Sequence, residues 1–143
     1  MKNLLLILIL FSGLIVRAQT DSVKDALPLV DGSAMDKEIF TFVEQVPEFP
    51  GGQEAMMKFI SKNIVYPEHA KENNVEGKVL LKFVINTQGE IRNIEVINKV
   101  RYGYGLEEEA IRVLKKMPRW TPGKQNGKPV NVYFTLPISF RLK

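Results

Sequence analysis

No cysteine occurs anywhere in the chain. Disulfides and thiolate metal sites are therefore excluded, and the fold must rest on its core alone, which is feasible for about 100 residues. Histidine occurs once, at His69. A zinc site needs about four ligands, commonly nitrogen or sulfur, so His69 reads as a surface residue in the turn after Pro67. A serine triad would need the same histidine as its base. Ser22, Ser33, Ser61 and Ser139 lack the glycine-flanked elbow of a nucleophile. Gly103-Tyr104-Gly105 is too short for a phosphate loop and follows no parallel βα unit. Glu107, Glu108 and Glu109 stand side by side, but consecutive helical residues do not converge; their place at a helix start suits the helix dipole. The chain reads as a non-enzyme, with no cofactor and no metal.

Long apolar runs are missing too. Leu4 to Val16 is thirteen residues, interrupted by Ser12 and Gly13, where a bilayer span needs about 20. With Lys2 ahead of it and Val16-Arg17-Ala18 behind, the run predicts a secretory signal peptide over 1–18, cleaved after Ala18. An uncleaved anchor is the alternative. Without Lys2 and Arg17 the chain holds 18 basic and 16 acidic side chains, a net charge of +2. No Lys/Arg block exists and no aromatic residues interleave with one, so nucleic acid is not an expected partner.

What is present is pattern. Residues 19–46 show no sustained period and read as a linker, with a little structure expected around Ile39, Phe40 and Phe42. Fully stretched, the linker spans about 95 Å. Pro47-Glu48-Phe49-Pro50-Gly51-Gly52 marks the start of a domain over 47–143. Met56, Phe59, Ile60 and Ile64 fall on one face of a helix over Gln53 to Asn63, stopped by Tyr66-Pro67. A helical turn is expected from Glu68 to Asn73. Lys78 to Asn86 alternates as a strand, Asn86-Thr87-Gln88-Gly89 forms a hairpin turn, and Glu90 to Asn98 returns. Leu106, Ala110, Val113, Leu114 and Met117 share the face of a second helix, ended by Pro118.

The strongest pattern is the last. Val130, Val132, Phe134, Leu136, Ile138, Phe140 and Leu142 are all apolar, alternating with Asn131, Tyr133, Thr135, Pro137, Ser139 and Arg141. This predicts a strand with one buried and one wet face. Pro137 cannot donate a hydrogen bond, and proline in a strand is tolerated mainly at a sheet edge. The order α-β-β-α-β predicts an α+β fold, a three-stranded antiparallel sheet with both helices on one face. Its edge strand is expected to be open to another chain, as a docking rail or in a homodimer.

The residues from Pro47 onward carry a resemblance. Tyr66-Pro67 with Ala70, Glu76-Gly77-Lys78-Val79, Gly89-Glu90-Ile91, Glu109-Ala110, Trp120-Thr121-Pro122-Gly123-Lys124, Asn126-Gly127-Lys128-Pro129 and Leu136-Pro137-Ile138-Ser139-Phe140 occur in order over about 97 residues. This stretch resembles the C-terminal domain of TonB, the energy transducer of Gram-negative envelopes, in its Bacteroidota variant. The resemblance implies a periplasmic module that binds the TonB box of TonB-dependent outer-membrane receptors as a strand added to its last strand. By position, the surface is Asn131, Tyr133, Thr135, Ser139 and Arg141. A secondary contact is implied at Asn63, Ile64 and Val65, just before Tyr66-Pro67. Anchored family members engage the ExbB–ExbD motor through an uncleaved N-terminus and a Pro-rich spacer. Here the leader reads as cleavable and the linker holds one proline, Pro28. The expected role is an accessory or variant in TonB-dependent transport. The alternatives are a short anchored transducer coupled to ExbB–ExbD, and a self-pairing structural or envelope-binding module.

Overall fold

The computed structural model describes residues 38–143. The signal peptide over 1–18 and most of the linker lie outside the described residues. The elements run β1 (Ile39–Phe40), α1 (Gly52–Asn63), α2 (Glu68–Glu72), β2 (Gly77–Ile85), β3 (Ile91–Val96), α3 (Leu106–Lys115), β4 (Lys124–Gln125), β5 (Lys128–Pro129) and β6 (Asn131–Phe140). The expected helices and long strands are all present.

The sheet differs from expectation in one respect. It has four strands and is mixed, in the order β1-β6-β2-β3. β6 and β2 form a nine-residue antiparallel ladder, Gly77↔Phe140 to Ile85↔Val132. β1 lies parallel to β6 on its other side but pairs only Ile39↔Asn131 and Phe40↔Val132. Two residues are too few to leave a periodic trace in a sequence, and parallel pairing carries no local turn signal. The chain then runs back past β4. Gln45 and Lys124 exchange backbone bonds of 3.1 and 2.9 Å, and Glu48 and Thr121 bonds of 3.0 and 2.8 Å.

Alternation sets the core. Val79, Leu81, Phe83 and Ile85 of β2 are sealed from solvent, as are Leu136, Ile138 and Phe140 of β6. Met56 and Ile60 of α1 and Leu106, Ala110, Val113 and Leu114 of α3 pack against that same face. Phe49, Phe83, Trp120 and Phe134 form a ring cluster with centroids 5.0–6.0 Å apart. All but the tilted Phe83–Phe134 pair are edge-to-face, and aromatic pairs of this kind add about 0.5–1.5 kcal/mol each to the area buried.

Two backbone details hold the sheet in shape. Ile91, Ile94 and Val96 all pack on the core, although a spacing of three breaks strict alternation. A bulge absorbs the extra residue: the β2–β3 register shifts between Lys82 and Val84, and Asn93 takes φ 52°. In the β2–β3 turn, Gly89 has φ +78°, and its carbonyl accepts the Trp120 N–H at 2.8 Å. A Cβ at Gly89 would sit 1.9 Å from the Trp120 carbonyl oxygen, so this turn requires glycine.

Candidate functional site

The direction of the backbone bonds in β2 decides what β6 offers outward. The Leu80 carbonyl accepts the Ile97 N–H at 2.9 Å, and the Leu80 N–H donates to Asn98 Oδ1 at 2.5 Å. The Lys78 carbonyl accepts Asn98 Nδ2 at 2.7 Å. Both residues therefore turn their main chain toward β3 and away from β6. Opposed residues of an antiparallel pair share this sense. Lys78 faces Ser139, Leu80 faces Pro137, Lys82 faces Thr135 and Val84 faces Tyr133. The odd-numbered residues of β6 thus aim their backbone groups at the far side of the strand, while the even-numbered ones bond to β2.

On that far side β1 ends opposite Val132. Its pairing reaches as far as the Tyr133 N–H. Beyond that point no strand among the described residues lies beside β6. Thr135 and Ser139 present both N–H and C=O there, and Tyr133 and Pro137 the C=O. Pro137 occupies a position where its missing N–H deprives β2 of nothing, which is the physical reason the sheet tolerates it.

The residues expected from the sequence fall as follows. Tyr133, Thr135 and Ser139 have exposed side chains on the wet face. Asn131 belongs to the stretch occupied by β1; its Oδ1 accepts the Thr87 N–H at 3.3 Å and its Nδ2 donates to the Glu38 carbonyl at 3.4 Å. Arg141 follows the end of β6 and is exposed. Asn63 closes α1, and Ile64 and Val65 follow it, with Val65 62% exposed. Ile64 joins Met57, Ile60 and Ser61 in lining a cavity of about 190 Å³ whose other wall is Pro137, Ile138 and Ser139. Ile64 and Ser139, one residue from each expected patch, therefore meet beside β6. A second cavity of about 390 Å³ continues along it, walled by Val46, Phe49, Met56, Trp120 and Phe134 to Pro137.

A clamp from α3 fixes the Asn63–Val65 stretch. Glu109 Oε1 accepts the Val65 N–H at 2.6 Å, and Arg112 Nη2 donates to the Asn63 carbonyl at 2.8 Å. Arg112 and Glu109 also bond to each other at 2.6 and 2.7 Å. The hydrogen bond from Arg112 holds the Glu109 carboxyl below the usual glutamate range, opposed by desolvation and helped by the Val65 N–H. The helix dipole accounts for Glu107 to Glu109 in the sequence, but it does not reveal this second task. An acid and an arginine at i and i+3 were visible; their long-range targets were not.

Among the described residues no three His, Cys, Asp or Glu side chains gather as a metal site, and no helix is long and apolar enough to cross a membrane.

The family model for the Gram-negative bacterial TonB protein C-terminal matches residues 62–142. Among solved structures, the chain is similar to a Helicobacter pylori TonB C-terminal domain at 27% identity, covering 63% of this chain and 92% of that one, with a TM-score of 0.47. A Pseudomonas aeruginosa TonB C-terminal domain is 29% identical over 56% of this chain and 79% of that one, with a TM-score of 0.46. A longer form of the Helicobacter pylori domain is 30% identical over 66% and 87%, with a TM-score of 0.44. No curated protein matches the sequence.

Proposed function

Because the chain belongs to the TonB C-terminal family of Gram-negative bacteria, a family of TonB-dependent transport, we propose that it binds the TonB box of outer-membrane receptors by strand addition along β6. The observation that supports this most is the outward row of backbone groups from Tyr133 to Ser139, next to which no described strand lies. A visiting strand would gain about five backbone hydrogen bonds of ~1 kcal/mol net each. Ordering its residues costs roughly 1–2 kcal/mol apiece. Main-chain pairing therefore falls short by itself. The two cavities beside the edge are where apolar side chains of the visitor, opposite Leu136 and Ile138, supply the remainder. A modest affinity follows. The same reading puts the domain in the periplasm, exported on the leader at 1–18.

Titration of isotope-labelled protein with TonB-box peptides tests this. The amides of Thr135, Ser139 and Ile64 are expected to shift together. Unmoved amides across β6 at millimolar peptide would exclude docking there.

A further inference from the structure

The wet face of the sheet beside the open edge carries more basic than acidic side chains. Lys82 and Lys78 stand opposite Thr135 and Ser139, and Arg141 follows the strand. Two carboxylates are near. Glu76 is occupied, accepting the Leu142 N–H at 2.6 Å. Glu95 stands directly opposite Lys82 in β3, where an opposed pair of unlike charge is normally favourable. Among the described residues no ion pair joins Lys82 to Glu95. The Lys82 ammonium leans the other way, across β6, and lies 4.4 Å from the centroid of the Tyr133 ring. The ring face attracts it through its quadrupole. The result is a half-buried cation held over the strand that borders the open edge, with no carboxylate in ion-pair contact among the described residues.

We propose that Lys82, seated on Tyr133, selects an acidic side chain on the outward face of the visiting strand. The inference rests on the docking reading above and adds the chemistry of the partner. β1 fixes where the visitor lies, since it fills the edge up to Val132. A guest residue opposite an odd-numbered residue of β6 puts its side chain on the outward face, with Tyr133 and Thr135. A guest residue opposite Leu136 or Ile138 faces the helices and the two cavities. The favoured occupant is therefore an extended peptide with two apolar residues at alternate positions and a carboxylate next to them on the opposite face, at the level of Thr135 or Tyr133. A lysine or arginine at that outward position meets Lys82 and is disfavoured.

Three synthetic peptides test the assignment. All carry valines at the two inward positions and differ at the outward ones, which are glutamate, glutamine or lysine. Affinity is read from amide shifts of Thr135 and Ser139 in the full chain. Glutamate is expected to bind about two- to fivefold tighter than glutamine, the range of an exposed ion pair, and lysine weaker than both. The preference is expected to shrink in 1 M salt. In Lys82→Gln, glutamate and glutamine peptides are expected to bind alike; in Lys82→Glu, the lysine peptide is expected to bind best. Urea unfolding of each variant shows whether the fold is retained, and Lys82→Arg, which keeps the charge, is expected to restore the glutamate preference. Equal binding of glutamate and glutamine peptides to the unaltered protein, or a glutamate preference that survives Lys82→Gln, overturns the inference and leaves docking intact. If none of the peptides shifts any amide of β6, docking itself fails and the inference with it.

Discussion

Proline substitution separates the two sides of β6. Thr135 turns its N–H outward, as Pro137 would if it had one, whereas Leu136 donates inward to β2, opposite Leu81. Thr135→Pro therefore removes no bond from the folded sheet. Relative to Thr135→Ala, its extra cost in stability is expected to stay below about 1 kcal/mol, since a proline already fits two residues on. Leu136→Pro removes a buried donor and orphans a β2 carbonyl. Such a loss costs about 1–3 kcal/mol, on top of the ~2–5 kcal/mol of Leu136→Ala at a side chain 4% exposed. Urea unfolding of the four variants gives the two differences. Binding is expected to show the reverse order. Thr135→Pro takes one hydrogen bond from a visitor, about 0.5–1.5 kcal/mol or roughly two- to twelvefold in affinity, and its ring projects into the visitor's path. If Thr135→Pro cost the fold as much beyond alanine as Leu136→Pro does, the outward sense of the odd residues would be wrong. If it folded and bound peptide unchanged, the visitor would lie elsewhere.

The face assignment makes a second contrast: Phe83→Ala, at a fully sealed ring, is expected to cost about 3–5 kcal/mol in urea unfolding, while Tyr133→Ala leaves the unfolding midpoint nearly unchanged and weakens peptide binding. Glu109 supplies a third. Its carboxyl is held below the ordinary range in the folded state, so the stability it lends is present above the unfolded-state value, near 4.3–4.5, and is lost as pH falls through the folded value. Glu90 is held down as well, first by its hydrogen bond from Asn86, so the test is a difference. Glu109→Gln is expected to flatten part of the decline in stability between pH 6 and pH 3, and to speed hydrogen exchange at the Val65 amide at neutral pH. An unchanged acid profile together with unchanged exchange at Val65 would remove the clamp from the account.

Strong local signals in the sequence correspond to strong local physics. The alternation along β6 reads as a strand because its even residues are buried, Phe134 in part, while the odd ones meet solvent. Gly89 and the Asn126-Gly127 pair read as turns because they alone relieve the positive φ those turns need. Met56, Ile60, Val113 and Leu114 read as helix faces for the same reason of period. The bulge at Asn93 was hidden, because Ile91, Ile94 and Val96 share a face only after the backbone inserts an extra residue. Structure around Ile39 and Phe40 was legible, but its parallel pairing with β6 was not, because two residues have no period. Lys82 was hidden because its direction depends on a neighbour strand distant in sequence.

The sequence by itself determined the α+β order, the buried face of each long element and the proline-bearing strand, since all of these follow from spacing along one chain. Tertiary structure alone decided how much of that strand stays open. β1 comes from residues some ninety positions upstream and closes only the first two residues of β6, and α1 happens to place its apolar end beside the rest. Both are contacts between distant segments, set by how separately folded pieces fit together, and no local pattern encodes them.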